Sequence, residues 1–271
     1  MTDLADITKN YYDSSDADIF YHEIWGGEDI HIGIYKSTDD IKVASRQTVE
    51  EMTKKIQITS KSHVLDLGSG YGGTARYLAK NYDCQVTAFN LSDVENKRHQ
   101  QKNKEQKFEK NIKVVQGNFE KLSFEPESFD IVWSQDAFLH TDKKQMVLKE
   151  VYRVLKTGGS FIFTDPMQSD DCPENVLEPI LERIHLKEMG SPQFYKEQCQ
   201  NIGFSNVQYI DLSEQLPKHY QSVLTQIISR QEELSTKISS GYLKKMRLGL
   251  ELWVKGGLSG HLAWGIFLAT K

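Results

Sequence analysis

Val64-Leu65-Asp66-Leu67-Gly68-Ser69-Gly70-Tyr71-Gly72-Gly73 is an apolar run carrying one acid and closing on a glycine turn. His63 to Leu67 reads as a short apolar strand, and Thr74 to Asn81 as the helix after the turn. Glycines let the backbone turn tightly after a strand and let a ligand come close to the main chain. Gly68, Gly70 and Gly73 also fit the G-x-G-x-x-G spacing of dinucleotide-binding folds, although a plain strand-to-helix turn would fit it too. Asp66 and Asn90 separate the readings. A dehydrogenase holds a pyrophosphate at this turn and places a carboxylate on the ribose at the end of the second strand. Here that second position is the uncharged Asn90. An acid two residues before Gly68 suits a cationic ligand, or ordering of the loop, and not a pyrophosphate.

Working outward, strand and helix patterns alternate. Gln85–Phe89 is a second strand, Ser92 to Lys110 a charged helix and its exit, Ile112–Val115 a third strand and Phe129–Trp133 a fourth. Lys143 to Leu155 is a helix stopped by Thr157-Gly158-Gly159, and Ser160–Thr164 a fifth strand. Val207–Ile210 and Leu262–Ala269 supply two late strands, separated by a segment, 214–256, that reads as helical throughout. Before the glycine turn, residues 46–57 form an amphipathic helix through Val49, Met52 and Ile56. The prediction is an α/β, Rossmann-like, mostly parallel seven-stranded sheet with helices on both faces. Its organisation is an N-terminal arm or lid over 1–45, a ligand-binding core over 46–212, a helical insertion over 213–258 and the last core strand over 259–271. Ligands of such sheets bind at the C-terminal strand edge.

Bulk numbers narrow the function classes. The chain has 271 residues, 26% charged and 38% hydrophobic, which supports a packed core. A formal net charge of -5 argues against binding nucleic acid through an overall basic field, and Lys97 to Lys110 reads as a solvated helix face. No apolar stretch approaches the ~18 residues of a membrane span. The N-terminus lacks a signal pattern, and three scattered cysteines (Cys84, Cys172, Cys199) form neither a disulfide framework nor a metal site. A cytoplasmic protein is expected, with oligomeric state open and a homodimer one option.

Val64 to Gly72 resembles the first signature motif of class I S-adenosylmethionine-dependent methyltransferases. Four further segments agree in order: Asn90-Leu91-Ser92, Gly117-Asn118-Phe119, Ser128 to Ser134, and Glu150 to Gly159, where Thr157 replaces a proline. The resemblance spans roughly 100 residues and implies S-adenosylmethionine as cofactor, with no metal. It places the cofactor against Ile30, His31, Asp66, Gly68, Gly70, Asn90, Leu91, Asn118, Phe119 and Gln135. Asn90 and Asn118 stand where the family usually has acids, yet each still offers an acceptor oxygen.

Trp133 to His140, the arm from Tyr12 to Tyr35, and the closing Trp264 to Lys271 are similar to small-amine N-methyltransferases. These include the phosphoethanolamine enzymes and the sarcosine/dimethylglycine enzymes that make glycine betaine. The resemblance implies an arm closing over the cofactor, so removing residues 1–25 is expected to cost activity far more than folding. A sulfonium and an amine both favour aromatic faces and carboxylates. Tyr12, Tyr21, Trp25, Tyr35, Met167 and Asp136 are the candidates, and His140 could take the amine proton, since a free imidazole titrates at about 6.5. Each also has a plainer reading: His140 and Asp136 as cap or core residues, the aromatics as lid packing. Asp165-Pro166 stands where a phosphobase enzyme would carry Asp-Tyr, and no clear phosphate clamp is present, though Arg183 and Lys187 remain as basic candidates. The expected acceptors are therefore sarcosine and dimethylglycine. The alternatives are a phosphoethanolamine-type or quinone/sterol methyltransferase, or a catalytically silent cofactor-binding module.

Overall fold

The structure, a computed structural model, describes residues 4–271, so the first three residues of the expected arm lie outside the described residues. In chain order the elements are α1 (Leu4–Tyr12), α2 (Ser15–Trp25), α3 (Ile41–Thr53), β1 (His63–Leu67), α4 (Gly73–Tyr82), β2 (Gln85–Asn90), α5 (Asp93–Glu105) and β3 (Ile112–Gln116). There follow β4 (Phe129–Gln135), a 3-10 turn (Phe138–His140), α6 (Lys144–Val154), β5 (Leu155–Thr164), β6 (Met167–Gln168), α7 (Glu178–Arg183) and α8 (Pro192–Ile202). The chain closes with β7 (Ser205–Asp211), α9 (Gln215–Ser229), α10 (Gln231–Ser235), α11 (Ser240–Leu258), β8 (Leu262–Ala263) and β9 (Gly265–Thr270).

Seven strands form one sheet in the order β3-β2-β1-β4-β5-β9-β7, with β9 antiparallel to both neighbours. The sheet is therefore mostly parallel, as the alternating pattern predicts. Near-continuous apolar strands mean burial on both faces. Along β4, Val132 joins one cluster with Val147 and Val151 of α6, while Ile131 and Trp133 join another with Val49 of α3 and Leu78 of α4. Strand order reverses between β1 and β4, which opens a crevice at their C-terminal ends. Over that edge lies a third layer, in which Phe20, Ile24 and Trp25 of α2 pack on Val223 and Ile227 of α9 and Leu243 and Leu250 of α11.

Four boundaries differ from expectation. Strand β5 begins at Leu155, not Ser160, so Thr157-Gly158-Gly159 lies within the strand and α6 already ends at Val154. Helix α3 begins at Ile41, not at 46, because the Asp40 carboxylate caps it by accepting from the Val43 amide at 2.8 Å. The helical block is three helices, and Ser239 caps the last by accepting from the Tyr242 amide. The single closing strand is broken at Trp264: β8 pairs with β6 in a separate ribbon, and β9 enters the main sheet. The fully buried Trp264 indole donates to Asp136 Oδ1 at 2.8 Å, a partner that a continuous strand would not reach. Among the described residues no helix is long and apolar enough to cross a membrane.

Candidate active site

The glycine turn builds the floor. Gly68 and Gly70 hold φ of 73° and 48°, left-handed values that favour glycine. A Cβ on Gly68 would sit 2.5 Å from the Ala137 methyl, and one on Gly70 would sit 3.0 Å from Ile30. Side chains here would fill the crevice between β1 and β4. Three connected spaces open above it.

The first is a small polar pocket of about 30 Å³ lined by Asp29, His31, Asp66, Ser69, Thr74 and Gln135. Asp66 Oδ2, Asp29 Oδ1 and the Ser69 hydroxyl are buried there without a hydrogen-bond partner among the described residues. Burial, and for Asp66 the neighbouring Asp29 charge, pushes Asp66 up to about 7 and Asp29 up to about 6. Buried carboxylate oxygens left unpaired are costly, and an ammonium group would satisfy them. Gln135 is locked: its Oε1 accepts from the Thr74 hydroxyl at 2.7 Å and the Trp133 indole at 2.8 Å. Its amide nitrogen therefore donates to His31 Nε2 at 2.9 Å, and His31 Nδ1 donates to the Ile32 carbonyl at 3.1 Å. Burial holds His31 down to about 4, so its ring is neutral at neutral pH.

The second space is a groove of about 90 Å³ lined by Ile30, Gly68, Gly70, Asn90, Leu91, Asn118 and Phe119, with Thr8, Lys9 and Tyr12 of α1 closing it. Asn90 donates to Glu95 Oε2 at 2.9 Å, while Glu95 Oε1 is buried without a partner among the described residues. Burial raises Glu95 to about 7. A carboxylate is thus present beside the groove after all, supplied by α5 one turn beyond β2. The Asn118 oxygen accepts from the Glu120 amide at 2.9 Å, so part of its acceptor capacity is spent within its own turn.

The third space is a cavity of about 780 Å³ between α1, α2, α7, α9 and α11, lined by Tyr12, Tyr21, Trp25, His140, His219 and Tyr220 among others. Tyr12, Ile30, Asp136 and His140 line both the groove and this cavity. Tyr12 and His140 meet across the junction, hydroxyl to Nε2 at 2.9 Å. Burial holds His140 down to about 4, below the ordinary imidazole value that the sequence suggested. Asp136 takes a positive φ of 51° and accepts three hydrogen bonds. They come from the Ile32 amide at 2.7 Å, the Thr164 hydroxyl at 2.7 Å and the Trp264 indole at 2.8 Å. Its carboxylate thus ties the arm to β5 and to the chain's end. Asp165 fixes the same loop by accepting from the Leu139 amide at 2.8 Å and the Tyr195 hydroxyl at 2.7 Å.

Most of the expected site residues converge here, and two do not. Tyr35 lies behind the cavity wall with its hydroxyl 3.0 Å from His219 Nδ1. Met167 is fully buried in the core, because the β6–β8 pairing turns it inward and leaves Pro166 on the cavity. Sequence reasoning missed Asp29, Glu95 and His219. The first two had a signal in hindsight: acids beside apolar or glycine-rich segments that close on the crevice. His219 had none, since only packing brings α9 to the arm. Among the described residues no His, Cys, Asp and Glu group has a metal-holding arrangement.

Comparison with known proteins adds the chemistry. A methyltransferase domain family matches residues 65–163. The chain is 51% identical to a sarcosine/dimethylglycine N-methyltransferase of Halorhodospira halochloris over 97% of this chain and 95% of that one. It is 46% identical to another from Aphanothece halophytica over 99% and 98% of the two chains. A solved structure from Galdieria sulphuraria, described as a candidate sarcosine dimethylglycine methyltransferase, superposes with a TM-score of 0.91 at 38% identity, covering 96% and 98% of the two chains. A Haemonchus contortus phosphoethanolamine N-methyltransferase, solved with S-adenosylhomocysteine, shares the fold at a TM-score of 0.85 and 19% identity, covering 100% of this chain and 60% of that one.

Proposed function

The chain belongs to the sarcosine/dimethylglycine N-methyltransferase family, and from that premise we propose that it methylates sarcosine and dimethylglycine with S-adenosylmethionine, giving glycine betaine. The likeness over nearly the whole chain to enzymes of that name carries the choice of acceptor. The three connected spaces support it.

S-adenosylmethionine supplies a methyl group on a sulfonium, open to in-line displacement by an amine lone pair. Asp66 and Asp29 would hold its ammonium, which their unpartnered oxygens suit. Glu95 and Asn90 would take ribose hydroxyls, and Leu91, Asn118 and Phe119 would flank the adenine. Ile30, His31 and Gln135 line the acidic pocket, and Ile30 and His31 also line the cavity beside it. Tyr12, Tyr21 and Trp25 line the cavity, Tyr12 at its junction with the groove, and aromatic side chains there would favour a cation excluded from water. The large contribution is geometric: holding reacting atoms in line is worth as much as about 7–11 kcal/mol in favourable systems.

His140 enters this reading as a neutral partner of Tyr12. A ring held at about 4 is a poor acceptor for an ammonium proton. The amine therefore binds as its free base, and the Tyr12–His140 pair orients it. Asp136 acts one step back, by holding Ile32 and the loop that carries His140. Three free thiols, two of them buried, suit a reducing cytoplasm. The test is turnover of purified protein with S-adenosylmethionine and sarcosine, read by mass. Two successive methyl increments support the reading, and no increment on either amino acid overturns it.

A further inference from the structure

An amino-acid acceptor brings a carboxylate as well as an amine, and a buried carboxylate needs a charged partner. Arg183, the last residue of α7, lines the large cavity. It differs from every other arginine in the chain. Arg46, Arg76, Arg98, Arg153, Arg230 and Arg247 each pair with an Asp or Glu. Arg183 has no carboxylate partner among the described residues. Its guanidinium donates to the Lys245 carbonyl and lies 3.1 Å from the Met246 sulfur, a weak acceptor, so most of its five N–H groups are uncommitted.

The seat is built. Gly249 lies inside α11, where glycine is less favourable than alanine, and a Cβ there would fall 2.0 Å from Arg183 Cζ. Any side chain at 249 would drive the guanidinium out of its place. The seat also shares a wall with the junction: the Met246 sulfur is 3.5 Å from the Tyr11 hydroxyl, and the Tyr11 and Tyr12 rings are 5.0 Å apart. We propose that Arg183, seated by Gly249, binds the carboxylate of the acceptor and so selects amino-acid amines. This rests on the acceptors proposed above. A guanidinium also recognises phosphate in the same forked manner, and the experiment separates the two.

The test compares wild type with Arg183→Met, Arg183→Lys and Gly249→Ala, using dimethylglycine and, in parallel, phosphoethanolamine. Melting temperature and S-adenosylhomocysteine affinity serve as controls for folding. Loss of a charged hydrogen-bond pair predicts a KM for dimethylglycine raised on the order of 10–100-fold in Arg183→Met, with kcat and S-adenosylhomocysteine affinity little changed. Arg183→Lys should fall between, and Gly249→Ala should raise KM without removing the charge. A purely structural arginine would lower the melting temperature and leave KM in place. A KM within about twofold of wild type in a folded Arg183→Met overturns the proposal. If Arg183→Met does not fold, an unchanged KM in Gly249→Ala overturns it. Wild-type turnover of phosphoethanolamine in place of dimethylglycine overturns the proposed acceptor and the carboxylate assignment together.

Discussion

Asp66 and His140 show how far burial changes what a residue type promises. Both sit at the strand edge where the sequence put them, but neither titrates near its ordinary value. Asp66 rises to about 7 because its charged form has no water and faces Asp29. A bound ammonium would favour the charged form and pull that value down. Binding therefore displaces a proton below about 7, and cofactor affinity should be full above that pH and fall as the pH drops toward 5.5. Calorimetry across this range checks it: Asp66→Asn should bind more weakly at pH 8 and show a flatter pH dependence. An identical slope in wild type and variant would remove Asp66 from the ammonium site. For His140 the sign runs the other way. Its value of about 4 leaves the ring neutral throughout the working range, so kcat/KM should climb with pH along the amine's own free-base fraction. His140→Ala should lower kcat roughly 10–100-fold through lost positioning, with a parallel pH profile. A wild-type inflection near pH 6.5 that vanishes in the variant would restore His140 as the proton acceptor. The presence of these groups was legible in the motifs. Their protonation was not, because it depends on what closes over them.

At the scale of elements, the arm is two different things. Helix α1 has no buried residue and is held by polar ties: Lys9 to Asp93 at 2.6 Å, and Asp13 accepting from the Ser92 hydroxyl at 2.7 Å and the Val94 amide at 3.2 Å. Helix α2 is part of an apolar cluster with α9 and α11. Deleting residues 1–13 should leave the melting temperature nearly unchanged and greatly weaken cofactor retention and turnover. Deleting residues 1–25 also removes Phe20, Ile24 and Trp25, each worth about 1.5–3 kcal/mol of burial, and should unfold or aggregate the chain. The expectation that the longer cut spares the fold therefore does not suit this packing. Normal turnover in the shorter truncation, read beside its melting curve, would remove α1 from the site. Aromatic and acidic residues mark a helix that packs, but the partner helices lie some 200 residues away and leave no local trace in the sequence. The break at Trp264 was hidden for the same reason. Its indole answers to Asp136, 128 residues earlier.

Across the whole molecule, the parallel sheet and its crevice were legible because each β-α unit carries its own pattern and its own glycine or capping residue. The cofactor edge followed from strand order. The acceptor cavity did not, since α2, α7, α9 and α11 assemble it from distant segments whose apolar stripes read only as core. Together the acidic pocket, the groove and the aromatic cavity, whose Arg183 has no carboxylate partner among the described residues, suit two ligands: a cofactor with its ammonium and nucleoside, and an acceptor that is itself an amino acid. The most direct test is a competition among sarcosine, dimethylglycine and phosphoethanolamine for methyl-labelled S-adenosylmethionine in one reaction with the purified protein. Label is expected to accumulate in dimethylglycine and then in glycine betaine, with little in the phosphobase. Label confined to the phosphobase, or in none of the three, would contradict it.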